Sequence, residues 1–109
     1  MSRVAALVVN YNAAATLADC LDSLLAQTEP PDVTVVDNAS SDGSDAVLSR
    51  YAGTITVNRN AENAGYAAVV NAFARMVSTP YLLVVNPDCR LPADAVARLR
   101  AELLAHRGA

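Results

Sequence analysis

Four apolar runs of strand length divide the chain. The first covers residues 3–9 and the last, residues 81–85, is the most apolar. Continuous apolar runs of this length are typical of strands that are covered on both faces. The two runs between them, 33–37 and 54–57, are rich in β-branched residues, which favour strands. The pattern therefore predicts four buried strands.

Apolar residues at helical spacing follow each of the four runs. A short helix is predicted over about 44–51, a longer one over about 64–77, and Pro92 suits the first turn of a last helix. The residues predicted to face inward on the first, third and fourth helices are Leu17, Cys20, Leu21, Leu24 and Leu25; Tyr66, Val69, Val70, Phe73 and Val77; and Val96, Leu99, Leu103 and Leu104.

Strands and helices alternate along the whole chain with short connections. This order predicts an α/β fold with a parallel sheet, right-handed crossovers and helices on both faces. We expect residues 1–109 to form one domain, because a chain of 109 residues is the size of a single modest one. No G-x-G-x-x-G motif follows the first strand, which argues against an NAD or FAD enzyme.

Charge and composition exclude several classes of function. The net charge is −3, so a nucleic-acid binder with a basic surface is not expected. All eight basic residues are Arg, and the absence of Lys removes P-loop and Schiff-base chemistry. The single His106 stands four residues after Glu102 in a predicted exposed ladder with Asp94 and Arg98, which favours a solvated residue over a catalytic base.

The cysteines and the first apolar run bear on the compartment. Cys20 and Cys89 have neither metal-ligand spacing nor a disulfide-rich context, which indicates a reducing compartment. The apolar run that ends at Asn10 is shorter than a usual signal-peptide core and too short to span a bilayer. We therefore expect a soluble cytoplasmic chain.

Polar residues follow every predicted strand. They are Asn10-Tyr11-Asn12, Asp37-Asn38, Arg59-Asn60 with Glu62-Asn63, and Asn86-Pro87-Asp88. Parallel strands place their carboxyl ends on one rim, where ligands of open α/β sheets bind. The set is rich in Asn and Asp but holds no Lys, His or Cys pair, so it suits a ligand with many hydroxyl groups better than nucleophilic catalysis.

Each of these residues also has an interpretation without a ligand. Asp37 suits a ligand hydroxyl or base edge, but also an Asx-turn. The turn and the N-cap of the following helix would then be supplied by Ser40, Ser41, Asp42 and Gly43. Asp88, with an oxygen from Asn86, suits a hard divalent cation, but also a cap for the last helix. Tyr11 suits stacking on a base or packing at the rim.

The stretch that opens the third helix adds a possible phosphate site. Asn63 and Gly65 lie where the helix begins, and exposed N–H groups at a helix start favour phosphate. Gly65 would also let a ligand approach closely. Asn71 is unusual in an Ala-rich helix and suits either a hydrogen bond to a neighbouring loop or a buried bond unrelated to ligand.

Four motifs in order, at residues 8–12, 35–44, 60–71 and 84–88, resemble those of family 2 glycosyltransferases, most of all the rhamnosyltransferase-like subgroup. The resemblance covers about residues 3–92. It implies the GT-A fold, here its three-layer Rossmann-like half with strand order 3-2-1-4. It also implies inverting transfer of a sugar from a nucleoside-diphosphate donor, of the UDP or dTDP type, to an acceptor hydroxyl.

The resemblance also assigns roles to residues. Tyr11 would lie against the base, Asp37 would hydrogen-bond the base or ribose, and Asp88 would hold a divalent metal, Mg²⁺ or Mn²⁺, on the diphosphate. The donor-binding residues that it implies are Asn10, Tyr11, Asn12, Asp37, Asn38, Asn63, Gly65 and Asn86.

The chain departs from the family pattern in two ways. Asn86 stands where the metal motif often has its first Asp, a variation familiar in the rhamnosyltransferase-like subgroup. The acceptor half with the general base would follow the fourth helix, and Glu102 is the only carboxylate after Asp94. We therefore expect a donor-binding half, truncated before the acceptor half, with no catalytic base of its own.

Three hypotheses about function remain open on these residues: a glycosyltransferase, a non-catalytic nucleotide-sugar-binding module, and another nucleotide-binding fold such as a flavodoxin-like one. For an enzyme, the resemblance implies a saccharide or lipid-linked acceptor of cell-envelope polysaccharide, at the inner membrane surface or in the cytoplasm. The fourth strand, at an open edge, carries neither charge nor internal Pro. We therefore expect self-association or marginal stability.

Overall fold

The computed structural model describes residues 4–106, and for residues 105 and 106 it describes the backbone alone. Two predictions, the strand position of Arg3 and the solvated side chain of His106, lie outside the described residues. The elements, in chain order, are β1 (Val4–Asn10), α1 (Ala14–Leu25), β2 (Asp32–Asp37), α2 (Ser44–Ser49), β3 (Thr56–Arg59), α3 (Tyr66–Met76), β4 (Tyr81–Val85) and α4 (Ala95–His106).

The four strands form one parallel sheet in the order β3-β2-β1-β4, which confirms the predicted α/β topology. β1 is central because it pairs with both β2 and β4, and all seven of its residues are buried. In register, Asn10 lies beside Asp37, and Asp37 lies beside Arg59. The polar ends of the first three strands are therefore neighbours.

The buried residues form two clusters, one on each face of the sheet. On one face, α1 and α2 cover alternate strand residues, and the members are Ala6, Val8, Leu17, Cys20, Leu21, Leu24, Val33, Val35, Leu48 and Val85. The cluster on the other face, which includes a residue of α3, is Leu7, Val9, Val36 and Val69. Alternation of side chains along each strand produces the two clusters, since successive residues point to opposite faces.

The start of α4 docks against the loop that follows α1. The buried side chain of Gln27 accepts a bond from the Val96 N–H at 2.9 Å and donates one to the Pro92 carbonyl at 2.7 Å. Beyond it, both carboxylate oxygens of Glu29 accept bonds from Arg100, at 2.7 and 2.8 Å. The Arg100 contact lowers the pKa of Glu29, because it stabilises the charged form.

Several predicted positions differ from the structure. β3 begins two residues later than predicted, at Thr56, and α2 ends earlier, at Ser49. Four residues predicted to face inward are largely exposed: Tyr66, Leu99, Leu103 and Leu104. Tyr66 is the first residue of α3, at the helix end nearest the rim. The Leu residues lie on α4, which runs beside the edge strand β4, and there nothing further among residues 4–106 covers them.

The groove between α4 and β4 is apolar. It has a volume of about 150 Å³ and is lined by Val4, Tyr81, Leu82, Leu83, Val96, Leu99, Arg100 and Leu103. Within residues 4–106, no helix is both long and apolar enough to cross a lipid bilayer.

Candidate functional site

The centre of the polar rim is a buried contact between the last residues of β1 and β2. The Asn10 amide Nδ2 donates to Asp37 Oδ1 at 2.8 Å, and both side chains are nearly inaccessible to solvent. Parallel register brings them together, as the sequence predicted for the strand ends. Asn10 Oδ1 is also buried, and it has no hydrogen-bond partner among the described residues. A buried acceptor without a partner is normally satisfied by an ordered water or a ligand.

Ser40 joins this pair to the loop after β1. Its hydroxyl donates to Asp37 Oδ1 at 2.7 Å and accepts bonds from the Asn12 N–H at 2.9 Å and Asn10 Nδ2 at 3.2 Å. Its own N–H donates to Asp37 Oδ2 at 3.2 Å, a contact that spans three residues, whereas the bond of an Asx-turn spans two. The contact is therefore one residue longer than the predicted Asx-turn, and it is part of a larger network between two loops.

Asn12 completes the link between those loops. Its Oδ1 accepts a bond from the Ser41 N–H at 2.8 Å, while its own N–H donates to Ser40. The Asn12 backbone lies in the left-handed region at φ 51°, which Asn tolerates better than most residues. This turn carries Tyr11 at the rim, where the ring is 52% exposed. Tyr11 is thus available for stacking and does not pack into the core.

The start of α1 is capped by a residue from the other loop. Ala13 supplies no side-chain cap, and Asp42 Oδ2 instead accepts a bond from the Ala14 N–H at 2.9 Å. Asp42 Oδ1 accepts from the Ser44 hydroxyl at 2.6 Å and from the Ser44 N–H at 3.1 Å. These bonds, that of the Ser44 hydroxyl first, lower the pKa of Asp42.

Asn38 draws the loop before α3 onto the rim. Its buried Oδ1 accepts bonds from Asn60 Nδ2 at 2.9 Å and from the Ala64 N–H at 3.0 Å. Its own N–H donates to the Asn10 carbonyl at 2.8 Å. The side-chain oxygen of Asn38 therefore holds the loop before α3 in place, and it does so from a buried position.

Gly65 stands immediately before α3 in a backbone conformation that only glycine adopts readily. Its φ is 86° and its ψ is 154°. An added Cβ would meet nothing within 4 Å, so the backbone angles, and not crowding, require glycine here. Asn63 Oδ1 accepts the Gly65 N–H at 2.9 Å and holds the turn. Both residues are exposed at the start of an eleven-residue helix, where the sequence predicted them.

The exit of β4 holds the predicted metal ligand. Asp88 is exposed, and within residues 4–106 no ion pair involves its carboxylate. Asn86 is also exposed, and its carbonyl accepts bonds from the Cys89 N–H at 3.0 Å and the Cys20 thiol at 3.5 Å. Burial, and then the nearby Cys89 and Asp88, raise the pKa of Cys20 to about 11, so this thiol stays protonated and inert.

At the end of β4 the protein would supply only part of the coordination shell of a divalent ion. Among residues 4–106 no group of three His, Cys, Asp or Glu side chains could hold a metal. Mg²⁺ is commonly bound through one or two carboxylates, with substrate phosphates and water completing the shell. The exposed carboxylate of Asp88 fits that arrangement, and a closed site made of protein ligands alone does not.

The structure places the predicted residues at one end of the sheet, but they differ in solvent exposure. Asn10, Asp37 and Asn38 are buried in the rim, whereas Tyr11, Asn12, Asn63, Gly65, Asn86 and Asp88 are exposed on it. The sequence marked Ser40 and Asp42 only as turn and cap residues, and it gave Asn60 no role. Asn71 is exposed on α3 and not buried.

Comparison with known proteins gives consistent matches. The model of the family described as glycosyl transferase family 2 matches residues 5–109. A poly(ribitol-phosphate) beta-glucosyltransferase of Bacillus spizizenii is 26% identical over 103 residues, which cover 88% of this chain and 16% of that protein.

Two solved structures resemble the fold closely. TarS 1–349 of S. aureus in complex with UDP-GlcNAc has a TM-score of 0.84 at 22% identity, over 97% of this chain and 32% of that one. The mannosyltransferase PcManGT of Pyrobaculum calidifontis, in complex with GDP-Man and Mn²⁺, has a TM-score of 0.83 at 28% identity, over 96% and 33%. The chain thus spans a third or less of the length of these proteins.

Proposed function

The chain belongs to glycosyl transferase family 2, and we propose that its rim binds the nucleoside-diphosphate part of a sugar donor, with the sugar transferred with inversion to an acceptor hydroxyl. The observation that carries the proposal is the Asn10–Asp37–Ser40 network. It holds a carboxylate at the strand ends, where ligands of parallel sheets bind, beside an amide oxygen of Asn10 that has no partner among the described residues.

We assign recognition of the nucleoside to the residues at the carboxyl ends of β1 and β2. Asp37 Oδ2 accepts a single bond, from the Ser40 N–H, and so keeps capacity for a ligand N–H or O–H. The exposed ring of Tyr11 lies on the loop that the same network fixes, where it can stack against the base. Asn12 and Asn38 support these groups by holding the loops on either side.

We assign recognition of the diphosphate to the residues that follow β3 and β4. Asn63 and Gly65 border the start of α3, whose first N–H groups favour an anion. Asn86 and Asp88 are exposed at the end of β4. A Mg²⁺ or Mn²⁺ ion bound there would neutralise the charge that develops on the departing diphosphate. The chain's own contribution is to orient the phosphates between α3 and this carboxylate.

The relatives differ in their nucleotides. The TarS structure is a complex with UDP-GlcNAc, and the PcManGT structure is a complex with GDP-Man. For this chain we retain a UDP or dTDP donor and the rhamnosyltransferase-like subgroup, both of which rest on the motif resemblance. A saccharide or lipid-linked acceptor of cell-envelope polysaccharide, met in the cytoplasm or at the inner membrane surface, completes the proposal.

One observation favours a second candidate, a nucleotide-sugar-binding module without turnover. Among the residues that the structure describes, Glu102 is the one carboxylate after Asp94, and it lies on α4. The neighbouring Leu103 lines a groove with Val4 and Tyr81, the first residues of their strands. Glu102 is thus near the opposite end of the sheet from Asp88, and it is badly placed to deprotonate an acceptor at the rim.

Thermal stability in the presence of nucleotides tests the shared part of both candidates. We expect UDP or dTDP with Mn²⁺ to raise the melting temperature, since a ligand that binds only the folded state stabilises it by mass action. ADP serves as the control nucleotide. No shift with any nucleoside diphosphate at millimolar concentration would contradict nucleotide binding.

An activity assay separates the two candidates. Donor hydrolysis or transfer, measured with UDP- and dTDP-sugars and Mn²⁺, would support the enzyme. Binding without either reaction would support the binding module.

A further inference from the structure

The hydroxyl of Ser40 has every hydrogen-bonding capacity in use. A serine hydroxyl offers one donor and two acceptor lone pairs. Here it donates to Asp37 Oδ1 and accepts from the Asn12 N–H and Asn10 Nδ2. The three partners come from the ends of two strands and from the loop between β1 and α1. A single side chain therefore connects the carboxylate to the turn that carries Tyr11.

The two oxygens of Asp37 are used unequally. Oδ1 accepts two bonds, from Asn10 Nδ2 at 2.8 Å and from the Ser40 hydroxyl at 2.7 Å, while Oδ2 accepts only the Ser40 N–H at 3.2 Å. A carboxylate oxygen has two lone pairs, so Oδ1 is filled and Oδ2 keeps one lone pair. Rotation of the carboxyl group would exchange the two oxygens, and Ser40 opposes it by binding both.

We propose that Ser40 is a positioning residue for nucleotide recognition, which holds the Asp37 carboxylate so that Oδ2 is the oxygen presented to the ligand. This inference rests on the proposed function, because it assumes that the rim binds a nucleoside diphosphate. Ser40 itself has no capacity left for the ligand. Its effect on binding therefore passes through Asp37 and through the turn at Asn12.

Substitution to Ala and Thr tests this role. Ser40→Ala leaves the Asn12 N–H without its acceptor and removes one of the two bonds to Asp37 Oδ1, so that the carboxyl group is held less firmly, and we expect an affinity for UDP with Mn²⁺ about tenfold lower. Ser40→Thr keeps the hydroxyl and is expected to stay within about threefold of the wild type. Ser41→Ala is the matched control, since Ser41 is exposed and meets Asn12 through its backbone N–H.

A double-mutant cycle with Asp37 separates positioning from a general structural effect. Affinity is measured by calorimetry and the melting temperature is measured for every variant. If Ser40 acts mainly through Asp37, Ser40→Ala costs little further affinity in an Asp37→Ala background, although it still lowers the melting temperature. An equal loss of affinity in both backgrounds would overturn the inference.

The remaining outcomes are also decisive. Unchanged affinity in a folded Ser40→Ala variant, with the wild type binding normally, would contradict the positioning role and leave the proposed function standing. Failure of the wild type to bind UDP, dTDP or GDP would overturn the proposed function, and this inference with it.

Discussion

Asn10 and Asp37 end neighbouring strands in register, and the amide of the first donates to the carboxylate of the second at 2.8 Å. The contact is buried, so the polar centre of the rim is built into the sheet. The contact fixes the position of the Asp37 carboxylate, which is the group that we propose binds the ligand.

Replacing Asp37 tests the centre of the proposed site. We expect Asp37→Ala to lower the affinity for a UDP- or dTDP-sugar about ten- to a hundredfold, because a hydrogen bond to a charged group contributes about 1.5–3 kcal/mol. The substitution also removes the acceptor of Asn10 and Ser40, so some loss of stability accompanies it. Calorimetric titration measures the affinity, and unchanged binding by a folded variant would make Asp37 a turn residue only.

Replacing Asp88 tests the proposed metal ligand. We expect Asp88→Ala to abolish the dependence of nucleoside-diphosphate binding on Mn²⁺ and to leave binding of the nucleoside itself intact. Titrations with and without a chelator give the measurement, and Asp94→Ala, an exposed carboxylate on the far side of the same connection, is the control. Indifference of the wild type to Mn²⁺ would show that the metal role is wrong.

Two substitutions with opposite signs test the backbone of the rim. Gly65→Ala is expected to lower the free energy of unfolding by about 1–3 kcal/mol, because its backbone angles suit only glycine. Ala39, at φ 65°, carries a side chain in the left-handed region, so Ala39→Gly is expected to stabilise by about 1 kcal/mol. Urea denaturation measures both. Equal effects of the two changes would contradict the explanation from backbone angles.

Asp42 gives the fold a dependence on acid pH. The bonds from Ser44 and Ala14 lower its pKa in the folded state, so the unfolded chain binds a proton more readily. The stabilisation is present above the ordinary Asp pKa of about 4 and is lost as the pH falls through the lower folded value. Melting curves of wild type and Asp42→Asn are expected to converge in acid.

Asp19→Asn controls for the loss of one negative charge, since Asp19 is exposed on α1. A constant difference in melting temperature between wild type and Asp42→Asn at every pH would contradict the role of the carboxylate.

Self-association through β4 is still a prediction. β4 pairs with β1 alone, so its other edge is open within the described residues, and Leu99 and Leu103 lie exposed beside it. We expect light scattering to show larger species as the concentration rises. Leu103→Lys places a charge beside the edge and is expected to reduce them. A concentration-independent monomer would contradict the prediction.

The strand order was implied by the resemblance to a known family, whereas the polar rim was predicted from the alternation of strands and helices, which is a short-range rule. Parallel strands align their carboxyl ends, so Asn10 and Asp37 had to be neighbours once the topology was known. The hydrogen bond between Ser40 and Asn12 could not be predicted from the sequence, because the two residues are 28 positions apart and the bond depends on the conformation of two loops.

Helical periodicity predicted which residues share one face of a helix, but it did not predict which element covers that face. Leu17 and Val96 are buried as predicted because an element lies against each of them. Leu103 and Leu104 continue the apolar stripe of α4 past the edge of the sheet, and they are exposed. A stripe predicts which residues share a face but does not supply the surface that covers them.

The central position of β1 has a consequence for how the chain folds. Its pairing with β4 joins Val4 to Tyr81 and so closes a loop in which two strands and three helices lie between the paired strands. Closing so distant a contact is slow, and parallel pairing of this kind raises the contact order of a small domain. During synthesis the first strand is made early yet completes its hydrogen bonds only after residues 81–85 leave the ribosome. A nascent chain shorter than that presents an apolar strand with an open edge, which is a binding site for chaperones and a hazard for aggregation.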